Sequence, residues 1–259
     1  MRRERAVSPS KKKRVLDFII TSFFIGLFLY SAIHLGSYLI DHFENKKVIE
    51  EAKDLYHATI ASSAGDNREQ FQPLLAINSD IIGWIKIDGT NIDYPILQAK
   101  DNEYYLEQNY QHENNRAGSI FMDYRNDIAG EEKNFILYGH RMKNGTMFAD
   151  LKKWLDGDIF AENPEIVFET LNKSYQVEVF SVYRTTTDFN YIQTDFSSDE
   201  DYANFLKTLQ EKSLYPTGLE LTADSTILTL STCDYSLDSD EGRLVVHAII
   251  TENREGRLH

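Results

Sequence analysis

Hydrophobic patterning divides the chain into three textures. From Phe18 to Ile40 the sequence FIITSFFIGLFLYSAIHLGSYLI is predominantly apolar and holds no acid or base except His34, long enough to cross a hydrocarbon core as a helix. The next stretch, DHFENKKVIEEAKDLYHATI, places Ile49, Ala52, Tyr56 and Ile60 at helical spacing with charged residues between them. It predicts an amphipathic helix that leads away from the span and lies against a folded domain. SSAGDN (62–67) breaks it, and EQFQPLLAIN predicts a second short helix that stops at Asn78-Ser79. From Ile81 the period shortens to two. IIGWIKI, IDYPIL, GSIFMDY, NFILYGH, IVFETL, SYQVEVFSVYRTT, TILTLSTC and RLVVHAII read as eight strands of a barrel or sandwich. GTMFADLKKWL (145–155) and DEDYANFLKTLQEKS (199–213) interrupt them as helices, the latter with Tyr202, Phe205, Leu206 and Leu209 on one face.

Charge adds a direction to this pattern. The chain carries -14 in total, yet residues 1–14 hold seven bases against one acid. That tail is therefore +6 and the remainder -20. A basic cluster directly before an apolar span places the N-terminus in the cytoplasm and residues 41–259 outside. A cleaved signal peptide would have a shorter apolar core, about 7–15 residues, ending at a small-residue site. Here Ser31-Ala32 is followed by more apolar residues, so the segment reads as an uncleaved anchor. The expected division is a basic tail (1–14), an anchor (15–40), a helical extension (41–78) and a folded domain (79–254). The acidity of the domain argues against a nucleic-acid partner, since nothing would neutralise phosphates along a groove.

Composition is that of a globular protein, 42% hydrophobic and 26% charged. A single cysteine excludes an internal disulfide and a Cys-based zinc site. Outside the cell a lone thiol persists when it is buried or used. In TILTLSTC, Ile227, Thr229, Ser231 and Cys233 share one face and Leu228, Leu230 and Thr232 the other. Cys233 thus ends a strand on its more polar face, beside the loop DYSLDSDEG. A thiol nucleophile needs a proton partner and an oxyanion stabiliser. Of seven histidines, His34 falls in the span, His42 and His57 in the stalk, His259 at the end, and His112 in a polar loop. His140 closes the strand NFILYGH, again beside a loop. His247 lies mid-strand in RLVVHAII and reads as a structural histidine, although strand parity alone leaves it open. Arg243 opens that last strand, where strand–loop–strand geometry could return its guanidinium to the thiol.

YGHRM, the cysteine in TLSTC and Arg243 ten residues later resemble a sortase, specifically of class B. The likeness extends over about residues 70–252 and includes GSIFMDYRN, NFILYGHRMKNGTMF and YRTTTDFNYIQTDF. It implies a mainly β fold: a closed eight-stranded barrel, an N-terminal helical extension and a helix inserted before the cysteine strand. It also implies a membrane-anchored cysteine transpeptidase without cofactor or metal. Cys233 would attack the carbonyl after Thr in a C-terminal sorting signal and form a thioester. Arg243 and a backbone N–H would stabilise the oxyanion, and His140 would protonate the leaving amine. An amine of a peptidoglycan precursor, or of a pilin subunit, would resolve the thioester. By the same likeness Asn102, Leu106, Thr187, Tyr191, Ile192 and Ser231 fall where class B sortases contact the signal. Asp234 stands where some relatives have Glu, which leaves its role open.

Two other classes compete. A tethered adhesin or binding module explains the anchor and the acidic surface but not three reactive residues at strand ends. DSDEG resembles part of a calcium loop, yet the twelfth position from Asp238 is Ile249, not an acid. Within the sortases, wall anchoring and pilus assembly, with signals of Asn-Pro-Gln-Thr or Pro-Pro-X-Thr type, both fit the sequence.

Overall fold

The computed structural model describes residues 11–62 and 69–252. The predicted break at SSAGDN falls almost wholly outside them, as do His259 and the first bases of the tail. The chain divides into two units between Lys47 and Val48. One helix, α1 (Lys11–Ser62), runs through the division, so the apolar span and the amphipathic segment are continuous and not two helices. No glycine–proline punctuation separates them, and an α-helix propagates more easily than it nucleates. Among the described residues this helix is long and apolar enough, by length and composition, to cross a membrane.

The second unit is built on eight strands: β1 (Ile81–Ile87), β2 (Asp93–Leu97), β3 (Ile120–Met122), β4 (Asn134–Tyr138), β5 (Ile166–Thr170), β6 (Ser174–Thr185), β7 (Thr226–Cys233) and β8 (Arg243–Glu252). They close in the order β1-β2-β3-β4-β7-β8-β6-β5. Closure removes free edges, and of the expected alternatives the barrel is the one formed. β2–β3 and β4–β7 are parallel pairs and the others antiparallel. Alternate residues fill the interior: Ile85, Ile96, Ile120, Leu137, Phe168, Leu228, Leu230 and Val246 are all buried in one core.

Two helical layers cover the outside. Ala52 and Tyr56 of α1 pack with Phe71, Leu74 and Trp84, where the Tyr56 and Trp84 rings stack at 4.0 Å. The Tyr56 hydroxyl and the Gln70 amide both bind Glu169 of β5, which fastens the helix to the barrel wall. On the other side α4 (Asp199–Lys212) lays Tyr202, Phe205, Leu206 and Leu209 over Phe180, Tyr183, Ile227 and Val245. Ser198 caps it by accepting from the Asp201 N–H, with acids filling the first turn.

The shorter helices depart from expectation. Residues 69–78 give a 3-10 turn (Glu69–Phe71) and one turn of helix, α2 (Gln72–Leu75), because Pro73 starts a helix without continuing one. Residues Phe148–Leu155 are 3-10 and not α, and Met147 ahead of them has a positive φ of 57°. A further helix, α3 (Gly157–Glu162), follows directly from an Asp156 cap.

His247 is fully buried on the outer face of β8. Tyr183 Oη donates to its Nε2 at 2.8 Å. Thr229 Oγ1 donates to Asn134 Oδ1 at 2.6 Å and so accepts from His247 Nδ1 at 2.9 Å, which fixes a neutral Nδ1–H tautomer. Burial pushes the imidazole down from 6.5 to about 3. This histidine is structural. Below pH 6.5 the unfolded chain takes up a proton there that the folded chain refuses. The stability contributed by neutral His247 is therefore complete above that pH and is lost as the pH falls toward 3. Its limiting slope is about 1.4 kcal/mol per pH unit. His247→Gln should remove about 2 kcal/mol of the stability change seen in urea denaturation between pH 7 and 5. Parallel curves for variant and wild type would assign the acid sensitivity elsewhere.

Candidate active site

Strand register places the ends of the strands that carry the three predicted residues side by side. Cys233 pairs directly with Arg243 across β7–β8. On the other side of β7, Tyr138 of β4 aligns with Ser231, and the Gly139 N–H continues the ladder to the Ser231 carbonyl at 3.3 Å. Two residues onward along these parallel chains come His140 and Cys233. Because the side-chain period is two, Cys233 and its directly opposed partner Arg243 leave the sheet on the face that carries Ser231, and His140 follows the end of β4 by two residues. Cys233 is half-buried and unbridged.

Each flanking group has a fixed support. His140 Nε2 lies 2.9 Å from the Leu106 carbonyl. A carbonyl only accepts, so Nε2 carries hydrogen and Nδ1 is the nitrogen that can exchange a proton. Leu106 ends the 3-10 turn Tyr104–Leu106, which the sequence pattern did not reveal. That turn sits against Gly118, whose φ is +57° and where a Cβ would lie 2.5 Å from the Tyr105 and Leu106 carbonyls. Only glycine fits there. Arg243 Nη1 donates to the Asp240 and Gly242 carbonyls at 3.0 and 2.9 Å, which steadies its base.

The six other expected contact residues are distributed unevenly. Tyr191 and Ser231 are buried and joined to each other, Oη to Oγ at 2.8 Å. Burial raises the Tyr191 phenol above its ordinary value, against the opposing pull of the Ser231 hydrogen bond and the Arg243 charge. Ser231 thus lies on the more polar face, as alternation predicts, and is covered there by Tyr191. Leu106 and Thr187 are exposed, whereas Ile192 and Asn102 are half-buried. Asn134 Nδ2 donates to the carbonyls of Gln193 at 3.0 Å and Tyr191 at 3.5 Å, so the His247 network ends on the 191–193 segment.

Asn102 leads to a group that sequence reasoning passed over. Its amide donates to Asp123 Oδ2 at 3.0 Å, and its Oδ1 accepts the Tyr124 N–H. Asp123 is wholly buried and also accepts from Tyr138 Oη at 2.8 Å and from Arg125 Nε and Nη2 at 2.8 and 2.7 Å. Burial alone would raise its carboxyl, but the Arg125 bonds outweigh burial and hold it below the usual range. Arg125 Nη2 reaches on to the Ile192 carbonyl at 3.0 Å. Asn102 and Ile192 thus hang from one ion pair. DYRN at 123–126 was the visible string, but nothing in its pattern marks Asp123 as buried.

The geometry has close counterparts. A family model described as the sortase domain matches residues 85–251. Sortase B of Listeria monocytogenes is 42% identical over 238 residues, 91% of this chain and 97% of that protein. The crystal structure of sortase B from Bacillus anthracis is 51% identical, with a TM-score of 0.76 over 83% of this chain and 100% of that one. A Staphylococcus aureus sortase B–substrate complex and a sortase B complexed with triglycine are each 38% identical, with TM-scores of 0.78 and 0.77. Both cover 82% of this chain and 99% of theirs. The chain belongs to the sortase family and is a transpeptidase of the sortase B kind.

Proposed function

We propose that this sortase cleaves a C-terminal sorting signal after Thr and transfers the protein to an amine of the cell wall. The observation that supports this reading is the register that pairs Cys233 with Arg243 and runs the end of β4, two residues before His140, alongside Ser231. The Cys233 thiol proton passes to His140, and Sγ attacks the carbonyl carbon after Thr to give a tetrahedral oxyanion. Arg243, with a backbone N–H, stabilises that charge in a half-buried setting where fixed donors act strongly. His140 delivers a proton to the departing amine as the C–N bond breaks, leaving a thioester. The acceptor amine then attacks the thioester, loses its proton to His140, and expels Cys233 as the new amide forms. The proton ledger closes over the cycle.

Asn102, Leu106, Thr187, Tyr191, Ile192 and Ser231 form the wall and floor for the signal in this reading. The substrate-bound and triglycine-bound neighbours support peptide and amine partners of this type. Residues 79–254 act as the catalytic domain and 41–78 as its helical extension. The apolar run holds the enzyme in the cell membrane with its basic tail in the cytoplasm and the barrel outside.

The decisive assay is a panel of fluorogenic sorting peptides, with and without an added amine. Cys233→Ala should abolish thioester capture. Arg243→Lys should keep the fold and lose turnover on the order of 100-fold, because an ammonium cannot reproduce the planar fork. Near-normal turnover by Arg243→Lys would remove the guanidinium argument. No cleavage of any peptide by the reduced enzyme would count against the whole reading. For the topology, protease added to intact protoplasts should digest the barrel. Its protection would reverse the orientation.

A further inference from the structure

Asp234 directly follows Cys233 and is wholly buried. Its Oδ1 accepts from Arg141 Nη1 at 2.6 Å, from Ser236 Oγ at 2.6 Å and from the Ser236 N–H at 3.1 Å. Its Oδ2 accepts from Arg184 Nε at 2.7 Å. None of these bonds involves His140, so the carboxylate does not orient the imidazole as an acid does in a Ser-His-Asp arrangement. Its partners are placed instead by sequence and register. Arg141 is the residue after His140. Arg184 lies in β6 opposite Leu244, one pair away from Thr185↔Arg243. One carboxylate therefore joins the end of β7 to the chain leaving β4 and to β6, the strand beside Arg243.

We propose that Asp234 is a positioning residue, whose bridge to Arg141 and Arg184 sets the spacing of the strand ends that carry His140, Cys233 and Arg243. The backbone at the same point is equally constrained. The Asp234 N–H donates to the Gly242 carbonyl at 2.8 Å, and a Cβ on Gly242 would lie 2.3 Å from the Asp234 carbonyl. The loop between β7 and β8 is thus pinned at both ends, with no slack to take up a misplaced thiol. Burial disfavours the charged carboxyl, yet the Ser236 and Arg141 bonds more than offset it and the group is held below the usual carboxylate range. It remains an anion throughout the range in which a thiol and an imidazole exchange protons. A permanent anion suits a clamp and not a proton carrier. Replacing Asp by Asn would leave one neutral acceptor between two guanidiniums and release both strand ends.

The inference rests on Cys233 and His140 being the reacting pair, so Cys233→Ala is the reference. The test uses full-length enzyme in detergent, an Asn-Pro-Gln-Thr fluorogenic peptide and triglycine as acceptor. Asp234→Asn should lower kcat about 10- to 100-fold, as expected for a small misplacement of reacting groups. KM for the peptide should stay within about 2-fold and both limbs of the pH profile should stay in place, since the carboxyl that is removed is held below the usual carboxylate range and does not titrate between those limbs. Arg141→Gln should do the same, and the double variant should be no worse than either single one. Asp234→Glu, which keeps the charge, should restore part of the loss. Wild-type kcat in Asp234→Asn, a displaced pH limb, or losses that multiply in the double variant would each overturn the proposal. If Asp234→Asn fails to fold by circular dichroism, Arg141→Gln and Arg184→Gln carry the test, and wild-type kcat in both overturns it. Activity in Cys233→Ala would instead overturn the reading of the site itself.

Discussion

The alignment of β7 between β4 and β8 is the constraint on which the rest depends. A slip of one residue in either pairing would send the Cys233 side chain into the barrel and bring Thr232 out. What prevents it is the core. Leu228 and Leu230 are sealed inside with Leu137 and Val246, while Ile227 lies beneath α4. Both faces of the strand are thus buried, and each polices the other. The hydrophobic packing that holds the barrel together is, at its end, what aims the thiol.

Parallel pairing of β4 with β7 has its own consequence. Parallel neighbours cannot be joined by a tight turn. The chain between them forms β5, β6 and α4 before it returns. That detour supplies Thr187, Tyr191 and Ile192, three of the residues proposed to contact the signal. Residues on a long connection need holding, and the fold does so with buried polar chains. One runs from Tyr183 through His247, Thr229 and Asn134 to the carbonyls of residues 191 and 193. The other runs from Asp123 through Arg125 to the carbonyl of Ile192. Buried polar groups of this kind are weak evidence for stability, but they define direction, which apolar contacts cannot. A chain of net charge -14 also sets Arg125, Arg141, Arg184 and Arg243 around the site, each with an acid or carbonyl partner.

Much of this was legible in the sequence because much of it is periodic. All eight strands followed from alternation and turn residues, and Cys233, His140 and Arg243 stood out as polar groups at strand ends. The misses share a cause. α3 is six residues beginning with Gly157, too short to show a period. Phe148–Leu155 shows helical spacing, but three residues per turn and 3.6 cannot be separated over eight positions. The Asp234 bonds to Arg141 and Arg184 span 93 and 50 residues, and no local rule reports on such separations. Alternation assigned Ser231 to the correct face, but whether a face is open depends on what the distant Tyr191 does above it.

The support of His140 ties recognition to chemistry. The imidazole is held by the Leu106 carbonyl, and the Leu106 side chain is part of the proposed wall for the signal. The turn Tyr104–Leu106 is in turn fixed by the Ser119 N–H, which donates to the Tyr105 carbonyl at 2.9 Å, and by the close approach of Gly118. A displacement of this turn therefore moves the acceptor that assigns hydrogen to Nε2. The proposed peptide contact at Leu106 and the tautomer of His140 depend on the same turn, so in the proposed reaction a change of shape there would also change which nitrogen is offered to the thiol.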